Sequence, residues 1–296
     1  MSTELPYHAQ LPFTFGALEQ DAGSFDRAGA VVLPVPFERT TSYVPGTKNG
    51  PREIIAASGQ VELYDEELGR EICDVGIHTL PAMESPFAST DDAFAEMRRV
   101  AEWLAGAGKF FVALGGEHAL TAPLVAGVAA VHPGVSVLQI DAHADLRESY
   151  MGDRHSHASA MRRVLEHAPA VQVGIRNLSA PEVEAIPGLE TTVFYDWNMR
   201  NDPEWITRVV ETLGEKVYIT IDCDGLDPAI MPAVGTPEPG GLTWRETLTL
   251  LRRVMEAKTV VAADVVELCP IPGFVAPNFL AARLVYKLIG YRFFAR

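Results

Sequence analysis

The feature that most constrains this chain is a series of short, almost wholly apolar runs, several ending abruptly in carboxylates and histidines. They lie at 30–36, 109–114, 135–140, 171–175, 191–195, 217–221 and 259–265. Strands that are apolar on both faces are covered on both faces, as in a parallel sheet. Helical stretches alternate with them at 90–106, 118–132, 156–167, 203–213, 244–257 and 277–294. Asp91 and Asp92 open the first of these, and Thr243 is placed to cap the helix that begins at Trp244. The alternation predicts an α/β fold: a mostly parallel sheet of about eight strands with helices on both faces and the active site at the strand carboxyl ends.

The chain has 296 residues and shows no internal repeat, low-complexity tract or Ser/Gly/Pro-rich linker. One domain over 1–296 is expected, with 1–28 as an N-terminal extension. Pro/Gly clusters at 44–51 and 228–241 are candidate rims of a site. A hydrophobic fraction of 48% is too high for disorder. Lys and Arg number 24 against 39 Asp and Glu, a net charge of −15, which argues against nucleic acid or anionic lipid as the main partner. No apolar run reaches the roughly 18 residues of a membrane span. The N-terminus lacks the pattern of a secretory signal. Cys73, Cys223 and Cys269 are widely spaced, without a CxxC motif, as suits a reducing compartment. A cytoplasmic protein is expected.

Three apolar runs end in clusters of potential ligands. Gly115-Gly116-Glu117-His118 follows 109–114, Asp141-Ala142-His143-Ala144-Asp145 follows 135–140, and Asp222-Cys223-Asp224 follows 217–221. Residues two apart on an extended chain point the same way, so Asp141, His143 and Asp145 are expected to converge, as are Asp222 and Asp224. Ala142, Ala144 and Cys223 then pack behind them. Four carboxylates meeting without counter-charge would be very costly, and no Lys or Arg lies inside these clusters. Two divalent cations would cancel the four charges. Four Asp and two His suit Mn²⁺ ahead of Fe²⁺, Co²⁺, Ni²⁺ or Zn²⁺. A lone strand-end Asp is commonly a helix cap or turn residue. Three clusters with one geometry favour a site instead.

Together these clusters resemble the ureohydrolase family, the manganese hydrolases of arginase and agmatinase type. The resemblance spans nearly the whole chain. Upstream it includes Val35-Pro36-Phe37, Thr40-Thr41-Ser42-Tyr43, Pro45-Gly46-Thr47 and Gly50-Pro51-Arg52. Downstream it includes Ser156-His157-Ala158, the loop Thr236-Pro237-Glu238-Pro239-Gly240-Gly241 and Asp264-Val265-Val266-Glu267. It implies two Mn²⁺ ions: one held by His118, Asp141, Asp145 and Asp222, the other by Asp141, His143, Asp222 and Asp224, with Asp141 and Asp222 bridging. Such a pair lowers the pKa of a shared water toward neutrality, so no Ser–His or Cys–His nucleophile is required. The resemblance makes His157 the proton shuttle and Glu267 the ligand of the substrate guanidinium. Asp145 would accept hydrogen bonds from a substrate amino group. Physical reasoning alone does not separate His157 from His155. After Glu267 the loop Leu268-Cys269-Pro270-Ile271 is more apolar than in many relatives.

The leading expectation is hydrolysis of agmatine to putrescine and urea. Glu148, Asp153 and Glu238 are candidates to meet the distal ammonium. Other guanidino compounds, such as guanidinobutyrate or guanidine, are alternatives within the class. A guanidine or polyamine sensor on the same fold is an alternative outside it, weighed against by the full ligand set. A two-metal phosphoester hydrolase would need basic groups that these motifs lack. The resemblance also implies a homo-oligomer, a trimer or hexamer.

Overall fold

The computed structural model describes residues 11–21, 23–83 and 89–295. Eight strands form one sheet: β1 (Ala30–Val35), β2 (Ile77–Thr79), β3 (Phe110–Gly115), β4 (Val135–Ile140), β5 (Ala170–Ile175), β6 (Thr191–Tyr195), β7 (Lys216–Asp222) and β8 (Thr259–Val266). Their order is β2-β1-β3-β8-β7-β4-β5-β6, and every neighbouring pair is parallel.

Alternate residues of each strand face two separate cores. Val112 and Leu114 of β3, Ile219 and Ile221 of β7, and Ala263 and Val265 of β8 point to one face. There they meet α1 (Gly50–Ser58), α5 (Trp205–Thr212), α6 (Trp244–Ala257) and α7 (Ala276–Phe294). Phe111, Ala113, Tyr218 and Ala262 point to the other, against α2 (Thr90–Gly106), α3 (Thr121–Val131) and α4 (Ala160–Val164). Two-sided burial is why the strands read as continuous apolar runs.

Helix boundaries have local causes. Ser89 caps α2 by accepting the Asp92 N–H at 3.1 Å. Thr243 and Glu246 form a reciprocal capping box at the start of α6. Two expected helices are delayed. The stretch at 118–132 begins with a 3-10 turn, His118–Leu120, before α3. The stretch at 156–167 begins with another, His157–Ser159, and α4 ends at Val164.

The seven expected strands are present to within a residue or so at each end. The additional strand, β2, pairs with the edge of β1. A short antiparallel pair, Tyr64–Asp65 with Arg70–Glu71, lies outside the main sheet. Helix α1 is a further element without a sequence expectation, the Pro/Gly cluster at 44–51 reaching only its first two residues. In the 1–28 segment, Phe15 is buried and its N–H donates to Thr79 Oγ1 at 2.9 Å, so this part packs against the sheet. Residues 1–10 of that expected extension lie outside the described residues. Among the described residues no helix is long and apolar enough to cross a membrane.

The strand order has a direct consequence for chemistry. β3, β8, β7 and β4 are adjacent, so the residues that follow them, His118, Glu267, Asp224 and Asp141, emerge side by side at one edge.

Candidate metal centre and active site

Asp141 is fully buried and divides its carboxylate between two imidazoles. Its Oδ2 lies 3.1 Å from His118 Nδ1 and its Oδ1 lies 3.7 Å from His143 Nδ1. His118 Nδ1 also lies 3.1 Å from Asp145 Oδ2 and 3.4 Å from Asp222 Oδ2. His143 Nδ1 lies 3.0 Å from Asp224 Oδ2. The six sequence-selected residues thus form two adjoining groups that share Asp141. Two of the sets close enough to hold an ion are His118, Asp141, Asp222 and Asp141, His143, Asp224.

The convergence has a different origin from the expected extended backbone. Asp222 ends β7, but Asp224 lies in a 3-10 turn, Cys223–Gly225, whose Asp224 N–H donates to Asp222 Oδ1 at 2.9 Å. Asp222 is therefore both a cap and a candidate ligand, one oxygen for each. Beyond β4, the His143 N–H donates to Asp141 Oδ1 at 2.6 Å. Ala142 N–H donates to Asp224 Oδ1 at 3.1 Å, tying the two loops together. Asp145 and Glu267 have φ of +52° and +62°, a left-handed backbone that costs non-glycine residues about 1–3 kcal/mol each. Cys223 is buried and unpaired by disulfide, consistent with packing.

The donor set fits cations. Nδ1 of His118 is a buried nitrogen without a hydrogen-bond partner. Its other nitrogen, Nε2, lies 2.9 Å from Thr220 Oγ1, which donates to Asp264 Oδ1 at 2.6 Å. The Thr220 hydroxyl proton is committed to Asp264, so Thr220 accepts from His118 Nε2–H, leaving the Nδ1 lone pair facing the carboxylates. Thr121 and Tyr218 hydroxyls also donate to Asp264, at 2.9 and 2.7 Å. Burial, with repulsion from neighbouring carboxylates, pushes Asp222 and Asp224 above the ordinary carboxylate range and Asp145 up to about 6. Burial lowers the His118 pKa, but the carboxylates of Asp141, Asp145 and Asp222 beside its Nδ1 outweigh that and raise it well above normal. The pocket therefore takes up positive charge, as protons or as metal ions.

Beside these residues lies a cavity of about 190 Å³. Its wall includes His157, Glu267, Thr41, Ser42, Tyr150 and Asn177. Glu267 Oε1 accepts the His118 N–H at 2.7 Å, which fixes the carboxylate at the cavity floor. Burial raises the Glu267 pKa well above normal. His157 is part-buried at the wall, and burial lowers it to about 4. His155 lies elsewhere: its Nε2 is 3.3 Å from Asp91 Oδ1 and its ring packs on Phe94. Geometry thus separates the two histidines.

The three acids considered for a distal ammonium are not among the residues lining this cavity. Glu148 is paired with Arg162 and Arg163, both at 2.9 Å. Asp153 accepts the His155 N–H at 2.8 Å. Glu238 bonds the Asn177 side chain at the rim. Arg147 does line the cavity, its guanidinium over the Tyr150 ring at 5.0 Å.

Comparison with known proteins agrees with this fold. Residues 28–290 match the arginase family. The chain is 42% identical to an N(1)-aminopropylagmatine ureohydrolase of Synechocystis sp., over 96% of this chain and 97% of that one. It is 39% identical to a protein of the same name from Thermus thermophilus, over 93% of each. Among solved structures it resembles the agmatine ureohydrolase of Thermoplasma volcanium with a TM-score of 0.83 and 31% identity, covering 90% of this chain and 91% of that one. The chain belongs to the arginase family and is an enzyme of the ureohydrolase class.

Proposed function

We propose that this enzyme cleaves the guanidino group of an aminoalkylguanidine, releasing urea and an alkylammonium. The observation that carries the reading is the sharing of Asp141 between the two imidazole-bearing groups. His118, Asp141, Asp145 and Asp222 would hold one Mn²⁺, and Asp141, His143, Asp222 and Asp224 the other. Bound there, the ions supply water acidified toward neutrality.

The chain's own groups do the rest. Glu267, held by the His118 N–H, offers its second oxygen to the cationic guanidinium. Asp145 accepts from a substrate amino group. Water gives its oxygen to the guanidinium carbon, the bond from that carbon to the alkyl nitrogen breaks, and both water protons end on the departing amine. His157, neutral near pH 7 because burial lowers its pKa, is the carrier at the cavity wall.

Two of the relatives above are named for N(1)-aminopropylagmatine and one for agmatine, at lower identity. Agmatine extended by an aminopropyl group is accordingly the favoured substrate, with agmatine itself next. One observation favours a guanidino acid instead: Arg147 in the cavity wall, 3.7 Å from its partner Glu182, would meet a substrate carboxylate. Initial rates of urea release from aminopropylagmatine, agmatine and guanidinobutyrate decide the order. The reading expects kcat/KM to fall in that order. Highest activity on guanidinobutyrate would assign the distal contact to Arg147, and no urea from any would remove the reading.

A further inference from the structure

We infer that Glu117, acting through Thr40, sets the imidazole of His157 with its Nε2 lone pair toward the cavity, and is a positioning residue for proton transfer. This rests on the reading of His157 as proton carrier.

Glu117 is fully buried, yet it is not among the residues lining the cavity. It follows Gly116, where a Cβ would overlap the carbonyl oxygen of Phe37. That close approach brings the 37–42 loop down onto the Glu117 carboxyl group. Oε2 accepts the backbone N–H groups of Arg39 and Thr40, each at 2.7 Å. Oε1 accepts the Thr40 hydroxyl at 2.9 Å.

The Thr40 hydroxyl has one proton, and it is committed to Glu117. Toward His157, Thr40 Oγ1 can therefore only accept. It accepts the His157 backbone N–H at 3.0 Å and lies 3.3 Å from the ring Nδ1. A neutral imidazole carries one N–H, which this arrangement places on Nδ1. Ser156 Oγ, 3.4 Å from Nδ1, already accepts the Ala158 N–H and has a second lone pair to accept from Nδ1 as well. Nε2 is left as the basic nitrogen, 3.4 Å from Ser42 Oγ, a hydroxyl that lines the cavity. The competing account is that Glu117 merely holds the 39–42 loop in place.

A double-mutant cycle separates the two, with kcat, KM, metal content and circular dichroism measured for each variant at saturating Mn²⁺. Thr40→Val should lower kcat about tenfold, part of the general acid–base contribution, with KM little changed. Thr40→Ser, which keeps the hydroxyl, should restore the rate. In a His157→Asn background, Thr40→Val should cost almost nothing further. Glu117→Gln should follow the same pattern, since its amide can donate to Thr40 and free the hydroxyl to donate to Nδ1. It also serves as the second variant should Thr40→Val fail to fold. An equal loss in both backgrounds, or a loss carried by KM, would overturn the relay in favour of the loop-holding account. A His157→Asn enzyme with unaltered kcat would instead show that the reading of His157 itself is wrong, and the relay would fall with it.

Discussion

The hydroxyl of Thr220 lies 2.9 Å from Nε2 of His118 and donates its own hydrogen bond to Asp264. A buried carboxylate thereby dictates which nitrogen of a candidate ligand carries the lone pair. Thr220→Val should weaken Mn²⁺ binding by roughly 10- to 100-fold, as loss of such a partner does. Calorimetric titration of the chelated protein measures this. Unaltered affinity would disconnect Asp264 from the centre.

The cavity-wall histidine and its near neighbour should behave oppositely. His157→Asn is expected to lower kcat by roughly 10²- to 10⁴-fold, the usual contribution of a general acid or base, with metal content retained. His155→Asn, whose ring packs on Phe94 away from the cavity, should leave kcat unaltered. Steady-state kinetics of the two side by side check the assignment.

Glu267 should act on binding. Replacing its free carboxyl oxygen by an amide in Glu267→Gln is expected to raise KM by about 10- to 100-fold, the value of a hydrogen bond to the charged guanidinium. Because Oε1 already holds the His118 N–H, a fall in metal content would instead mark the residue as structural. Substrate saturation curves with parallel metal analysis distinguish these outcomes.

Acid stability has a separate, identifiable source. Glu67 is partly buried, which raises its pKa, but bonds from Lys287, Tyr291 and Arg252 outweigh this and lower it from 4.5 to about 2. A carboxyl group with a depressed folded-state pKa contributes stability above its unfolded value, and loses it as pH falls through the folded one. The window is therefore pH 4.5 to about 2. Glu67→Gln should be less stable than the parent at pH 7, and that gap should close across this window. Urea unfolding at a series of pH values reads the difference.

Much of this was legible in the sequence because two-sided burial writes each strand as an apolar run. Ligands placed where those runs end stand out by contrast. β2 was not legible, because Ile77–Thr79 is a three-residue edge strand with no run to print. The late starts of α3 and α4 were not legible either, since nothing in the composition distinguishes a 3-10 turn from the first helical turn. At both places that turn begins with a site residue, His118 and His157. The convergence of Asp222 and Asp224 was foreseen for the wrong reason, a straight strand rather than a turn. The Thr220–Asp264 network was missed, although an Asp inside an otherwise apolar strand was its visible signal. Neither the contact between Thr40 and His157 nor that between Thr40 and Glu117 has a local signature, because 117 and 77 residues of chain separate the partners.

In the proposed chemistry one carboxylate, Asp141, joins two ion sites that together make water reactive toward a guanidinium. Titrating chelated enzyme with Mn²⁺ while following bound metal and urea release together probes that joining. Two ions should bind per chain, urea release should appear as both sites fill, and Asp141→Ala should lose both ions and all activity. Full urea release from exhaustively chelated protein, or an active Asp141→Ala enzyme that still binds two ions, would rule out a shared carboxylate at the heart of the reaction.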